Sequence, residues 1–217
     1  PHLYRDYIRT GGFDYLYDKV GLYDTLRSVV CGHTPASRIT ECWQTVNDIR
    51  PHMLSFLENH DEQRIASDFF AGRAEAGIPA LIVAATLGTG PVMVYFGQEL
   101  GERGMDAEGF SGRDGRTSIF DYWSLDTLRR RNNGGRYDEA LLTDAERSLL
   151  HQYTAILHLA REEKALTEGT FFDLMYVNPT SDFFDPARQY AYLRKADDAV
   201  VLIAVNFADA ARRVRIR

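Results

Sequence analysis

A chain of 217 residues with 45% hydrophobic content is long enough to bury a sizeable core and is not a disordered segment. Its net charge of -6 argues against a polyanionic partner, so nucleic-acid binding is not expected; the one basic knot, Arg129-Arg130-Arg131, runs into Asn132-Asn133-Gly134-Gly135 and reads as a solvated loop. Two cysteines, Cys31 and Cys42, are too few for a disulfide framework and lack the paired spacing of a zinc site.

Pro1-His2-Leu3-Tyr4 opens the sequence without an initiator Met, already in what reads as a helical turn, the pattern expected of a fragment. Gly11-Gly12 precedes a short aromatic strand over Phe13 to Tyr17. A helix is expected over Lys19 to Val30, with apolar residues at Val20, Leu22, Tyr23, Leu26, Val29 and Val30. Ala36 to Ile49 carries a second, weaker helical pattern, and Met53 to Leu57 is another short apolar strand. Ser67 to Leu87 turns helical and Ala-rich, and Pro91 to Phe96 is a nearly continuous apolar run ended by Gly97, suited to a strand covered on both faces. Taken together, Ile78 to Phe96 approaches membrane length, but Pro79, Thr86, Gly88, Thr89, Gly90 and Pro91 interrupt it, so no membrane segment is expected.

The stretch from Gly101 to Gly115 is rich in glycine and charge and longer than most loops of such folds, and loops of that kind usually serve a binding site. Thr143 to Glu162 is the clearest helix, with Thr143 as N-cap, Glu146 three residues on, and Leu149, Leu150, Tyr153, Ile156, Leu157 and Ala160 on one face. His151 and His158 on that helix read as packing or surface residues. Two runs, Gln189 to Arg194 and Ala199 to Phe207, flank Asp197-Asp198 in the pattern of an antiparallel hairpin. A domain boundary is therefore expected between residues 164 and 165, and Arg212 to Arg217 alternates like a strand still being built. Strands alternating with helices ahead of that boundary point to an α/β fold, either an open doubly wound sheet or a (β/α)8 barrel.

Gly88-Thr89-Gly90 is not a dinucleotide fingerprint, because Met93 stands where the third glycine should fall and the order is helix then strand. Asn59-His60-Asp61 is different: three strong hydrogen-bonding side chains directly follow an apolar strand, with Glu58 before and Arg64 after. The carboxyl end of a parallel strand is where ligands are met in such folds, while a polar cap for the next helix is the plain structural alternative. The residues alone leave these two readings even.

The run Phe56, Asn59, His60, Asp61 is similar to the F-x-x-N-H-D signature on the seventh barrel strand of the α-amylase family of glycoside hydrolases, with Arg64 following as it often does there. Ala80 to Leu87, then Gly90 to Glu99, resembles that family's seventh helix and eighth strand, and Phe13 to Leu26 its sixth strand and helix. The resemblance covers roughly residues 1 to 207. It implies a partial (β/α)8 TIM barrel, about strands 6 to 8 with their helices, over 1–164, and the start of an antiparallel β-sandwich-type domain over 165–217.

It also implies retaining chemistry on α-glucans such as starch, glycogen or maltooligosaccharides, through a covalent glycosyl intermediate. Asp61 then matches the transition-state stabiliser, and His60, Asn59 and Arg64 match substrate-binding positions. The family's nucleophile and general acid end the fourth and fifth strands, and the chain reads as beginning just after the fifth, so alone it is expected to be inactive; Asp18, Glu58 and Glu99 sit in no matching motif. No cofactor is expected in this segment, although calcium often accompanies the family and could bind the full-length protein. Three barrel strands cannot close a ring, so the expected partner, besides the glucan, is the missing N-terminal barrel half or a second copy at the exposed edge. A non-catalytic amylase-like partner or scaffold domain and a transglycosylase or isomerase of the same family are the alternatives. Tyr95 and Trp123 are candidates for stacking on sugar rings, against plain burial, and the Gly101 to Gly115 loop for shaping subsites.

Overall fold

The computed structural model describes residues 2–106 and 113–217. In chain order its principal elements are α1 (Tyr4–Arg9), β1 (Leu16–Tyr17), α2 (Asp24–Val30), α3 (Arg38–Thr45), β2 (Met53–Phe56), α4 (Ile78–Thr86), β3 (Val92–Met93), α5 (Asp126–Asn132), α6 (Asp144–Glu162), α7 (Lys164–Thr167), β4 (Thr170–Asp173), β5 (Gln189–Ala196) and β6 (Ala199–Asn206). Contact density divides the chain into two compact units, one made of residues 1–56, 79–93 and 157–217 and the other of residues 57–78 and 94–156.

The first unit holds two three-stranded sheets. One is parallel in the order β1-β2-β3, with Leu16 opposite Met53 and Phe56 opposite Met93. A π-turn over Lys19–Tyr23 leads into α2, and Leu22, Tyr23, Leu26 and Val29 are buried, whereas Val20 is exposed. The strands are shorter than the apolar runs that announce them. Only Leu16 and Tyr17 of the expected Phe13 to Tyr17 strand pair, because β1 has β2 alone as neighbour and Phe13 and Tyr15 stand in solvent. Similarly, β3 stops at Met93. Gly90 sets its start: a Cβ there would lie 2.4 Å from the Met53 carbonyl oxygen, so only glycine allows the chain this close to β2. The helix expected from Ser67 begins only at Ile78, because Gly72 takes a left-handed φ of 71° and Pro79, lacking an N–H, fits a first helical turn.

The other sheet is antiparallel, β4-β5-β6, with β5 and β6 joined by the two-residue turn Asp197-Asp198, where Asp197 has a φ of 49°. Arg212 to Arg217 is irregular, not a strand, and Arg217 N–H donates to Asn178 Oδ1 instead of to a ladder. Contact density places β4 to β6 in the same compact unit as the parallel sheet, whereas the sequence pattern suggests a boundary between 164 and 165. Two polar anchors explain this, one half-buried and one fully buried. Asp173 Oδ2 accepts from Thr40 Oγ1 (2.7 Å), Trp43 Nε1 (2.9 Å) and Tyr190 OH (2.9 Å), joining α3 to the antiparallel sheet. Arg194 has no exposed surface and among the described residues pairs with no carboxylate; it donates to the carbonyls of Thr86, Gly88, Leu166 and Gly169 at 2.8–3.0 Å, filling the acceptors left open at the ends of α4 and α7. Burial pushes its pKa down to about 10.

In the second unit, Leu100, Leu125, Leu142, Leu149 and Tyr153 are buried. The start of α6 carries a capping box: Glu146 N–H donates to Thr143 Oγ1 at 3.2 Å, and Thr143 N–H donates back to Glu146 Oε2 at 2.8 Å. Arg130 Nε also bonds this carboxylate, at 3.1 and 3.2 Å to its two oxygens. The arginine run 129 to 131 is therefore the last turn of α5 and not a loop; the chain turns only at Asn133, Gly134 and Gly135, all at positive φ. His151 and His158 lie on the exposed side of α6 beside Glu139 and Glu162. Among the described residues no helix is long and apolar enough to cross a membrane.

Replacing Arg194 by Leu leaves four carbonyls without a donor and should lower unfolding free energy by about 3 kcal/mol in urea titrations; a change under about 0.5 kcal/mol would contradict the anchoring role. Burial raises the Glu146 pKa, but the Arg130 and Thr143 bonds outweigh it, so the folded carboxyl titrates below its ordinary value. The bonded carboxylate thus contributes stability above the unfolded pKa of 4.5, lost as pH falls through the lower folded value. Glu146→Gln should therefore be less stable than the parent near pH 7, with the gap narrowing below about pH 4.

Candidate active site

Glu58, Asn59, His60, Asp61 and Arg64 lie in the second unit. Asn59 is buried, and its Oδ1 accepts from the N–H groups of Asp61 (2.8 Å) and Glu62 (3.0 Å). This Asx turn reverses the chain within three residues. The structural role expected for Asp61, accepting backbone N–H groups, is taken by Asn59, which leaves the Asp61 carboxylate free of capping duty. His60 and Asp61 point outward, with side chains 50% and 75% exposed and Nε2 to Oδ2 3.5 Å apart.

Beneath them the polar groups are dry. Arg64 has no exposed surface; its Nη1 donates to Glu58 Oε2 at 2.7 Å, Nε to Thr117 Oγ1 at 3.1 Å, and Nη2 to the Phe96 carbonyl at 2.9 Å and to Thr117 Oγ1. The guanidinium carbon also lies 4.4 Å from the Tyr95 ring centroid and 5.1 Å from that of Phe96, over aromatic faces that favour a cation. Glu58 completes the arrangement by accepting the Ile65 N–H at 2.7 Å. Burial pushes the Glu58 carboxyl above the usual range, against the pull of the Arg64 guanidinium and the Ile65 N–H. Arg64, a substrate-binding position by resemblance, is thus wholly enclosed, with donors on all three nitrogens committed to protein oxygens.

Tyr95 is buried and donates its hydroxyl to the Thr117 carbonyl at 2.9 Å, so it packs and does not present a face to solvent. Trp123 is 58% exposed, edge to face with Tyr122. Of the loop expected to shape subsites, residues 107–112 lie outside the described residues. Its far end returns to the site: Arg64 N–H donates to the Gly115 carbonyl at 2.6 Å, and Arg116 Nε donates to the Asp61 carbonyl at 2.8 Å. Neither Thr117 nor Arg116 is singled out by the sequence. The one available signal is that Arg113-Asp114-Gly115-Arg116-Thr117 closes the glycine-rich loop with opposite charges around a glycine.

A cavity of about 380 Å³ in the same unit is lined by Arg73, Glu75, Leu100, Glu102, Arg130 and Glu146, among others, and by neither His60 nor Asp61. Two of its wall carboxylates have partners, Glu146 in Arg130 and Glu102 in Gly104 N–H and Thr127 Oγ1, whereas Asp61 stands outside the cavity on open surface. Among the described residues no group of three or more His, Cys, Asp or Glu side chains could hold a metal ion. The two cysteines are free thiols.

No sequence-family profile matches the chain, and no curated relative does. Solved structures do. The noncanonic maltogenic α-amylase AmyB from Thermotoga neapolitana matches with a TM-score of 0.62 at 18% identity, over 93% of this chain and 39% of that one. AmyP in complex with maltose matches with a TM-score of 0.59 at 17% identity, over 89% and 40% of the two chains. A cyclomaltodextrinase matches with a TM-score of 0.54 at 20% identity, over 87% and 27%. These neighbours are α-amylase family glycoside hydrolases, and at such identities the likeness shows the fold. The chain spans about two fifths of the length of the first two.

Replacing Arg64 by Met strands the Glu58 carboxylate in a dry site and should cost about 3–5 kcal/mol of stability, while the double change with Glu58→Gln should recover much of that loss. Equal losses in the single and double variants, read by denaturant titration, would show that the pair is not coupled.

Proposed function

We propose that this chain forms the sugar-holding side of the active site in a retaining α-glycoside hydrolase that acts on α-glucans. The observation that carries the reading is the division of labour at the end of β2: Asn59, Glu58 and Arg64 are buried and committed to protein partners, while His60 and Asp61 are offered to solvent. The bracing beneath holds these two polar side chains at a fixed place on the surface. The fold shared with amylases supports the substrate class, as does the complex of one neighbour, AmyP, with maltose.

In this reading β1, β2 and β3 are the sixth, seventh and eighth strands of a (β/α)8 barrel, in keeping with their parallel order. The turn after β2 then lies at the carboxyl ends of the strands, where barrel enzymes bind ligand. Asp61 accepts hydrogen bonds from hydroxyls beside the reacting carbon. Its negative charge favours the flattened, positively charged sugar more than the resting one, which makes the contact catalytic. His60 contributes a second polar contact to the same ring. Asn59 and Arg64, in contrast to their sequence assignment as substrate contacts, act through the turn: Asn59 by capping it, Arg64 by holding its base. The nucleophile and acid are other carboxylates, ending other strands. The outer edge of β1 is the surface on which those strands, or a second copy, would pair.

In the native protein that carries this chain, Asp61→Asn should lower kcat for maltotriose hydrolysis by about 10²–10³-fold, with thermal unfolding unchanged. Retention of full turnover would remove Asp61 from the mechanism and leave a scaffold reading.

A further inference from the structure

The main chain of Asp61 is held on both sides by side chains from elsewhere. Its N–H donates to Asn59 Oδ1 and its carbonyl accepts from Arg116 Nε, each at 2.8 Å. Arg116 is itself braced, since its own N–H and its Nη1 both reach the Asp114 carboxylate at 3.1 Å. The neighbours of Arg116 are tied to the same turn: the Gly115 carbonyl takes the Arg64 N–H, and Thr117 Oγ1 takes the Arg64 guanidinium. Close approach at Gly115 requires glycine, because φ is 79° and a Cβ would lie 2.8 Å from both Cβ and Oγ of Ser67.

Arg116 differs from Arg64 in one respect that decides its role. Its side chain is 39% exposed, so it gives the core little, yet its Nε–H is aimed at one particular peptide. We propose that Arg116 is a positioning residue for Asp61, fixing that peptide so that the carboxylate meets the sugar in a single orientation; this rests on the reading of Asp61 given above. Without the bond, the turn keeps its Asn59 cap but loses the hold on its carbonyl side. A carboxylate that can wander still meets ground-state hydroxyls, but it seldom sits where charge develops, so the loss falls on kcat and not on KM. Misplacement by about 1 Å is enough for a loss approaching 10²-fold. Lysine offers a compact point charge without the planar fork, and so holds the Asp61 carbonyl with less directional constraint.

The test uses the native protein carrying this chain, with maltotriose as substrate and Asp61→Asn run in parallel. Arg116→Ala should lower kcat about 30-fold with KM within about twofold and the shape of the pH–rate profile unchanged, and Arg116→Lys should fall between it and the parent. Amides of residues 60 to 62 should exchange with deuterium about tenfold faster in Arg116→Ala, while those in the middle of α6 keep the parent rate. A kcat within about twofold of the parent, a rise in KM at constant kcat, or unchanged exchange at residues 60 to 62 would each overturn the positioning role. If Asp61→Asn is inactive and Arg116→Ala behaves as the parent, only that role falls. If Asp61→Asn keeps its turnover, the reading of Asp61 itself falls.

Discussion

The buried pair of Glu58 and Arg64 is the interaction on which the rest of the candidate site depends. Two opposite charges with side chains 2% and 0% exposed have lost their hydration, a cost of several kcal/mol per ion even after relaxation. The pair is sustained because nothing is left over. Glu58 takes a guanidinium and a backbone N–H, and Arg64 adds a threonine hydroxyl, a main-chain carbonyl and two aromatic faces. A hydrophobic replacement of the whole set would be no worse for stability, but it would not fix direction. The planar fork of Arg64 accepts few geometries, and it ties Glu58, Phe96 and the segment around Thr117 to one point. Above that point the Asn59 cap has only one way to turn the chain, and it leaves His60 and Asp61 facing water.

The first unit uses the same device for another purpose. Asp173 gathers three side-chain donors and the Met175 N–H, while Arg194 spends its charge on main-chain carbonyls at the ends of two helices. Burial pushes the Tyr190 hydroxyl well above its ordinary pKa, and the neighbouring Asp173 charge adds to it, so Tyr190 stays a neutral phenol across the physiological range. Polar anchors of this kind hold elements together where the strands themselves are short, and β1 and β3 pair through only two residues each.

How much of this was legible in the sequence follows from the range of each interaction. Periodicity and capping are local, so the order of strands and helices, the box at Thr143 and Glu146, and the hairpin at Asp197 could be read directly. Strand lengths could not, because an apolar residue such as Phe13 reads the same whether or not a neighbour is there to pair with it. The alanine-rich pattern hides the effect of Gly72, so the sequence places the start of α4 too early. At the site the residue types at 59 to 61 stood out, but their separation into one cap and two outward-facing groups depends on which backbone amides come within reach of Asn59. Arg64 and Arg116 are both arginines near the same turn; only the folded chain distinguishes the one sealed beneath it from the one clasping its carbonyl from the side.

Whether the outward face of that turn meets a sugar decides between an active site and a bare surface turn. A crystal structure of the native protein with maltotriose bound tests this most directly. One glucose ring should lie over the turn after β2, with the Asp61 carboxylate oxygens within about 3 Å of its hydroxyls and His60 on the same ring. A ring bound elsewhere, with Asp61 and His60 still in solvent, would contradict it.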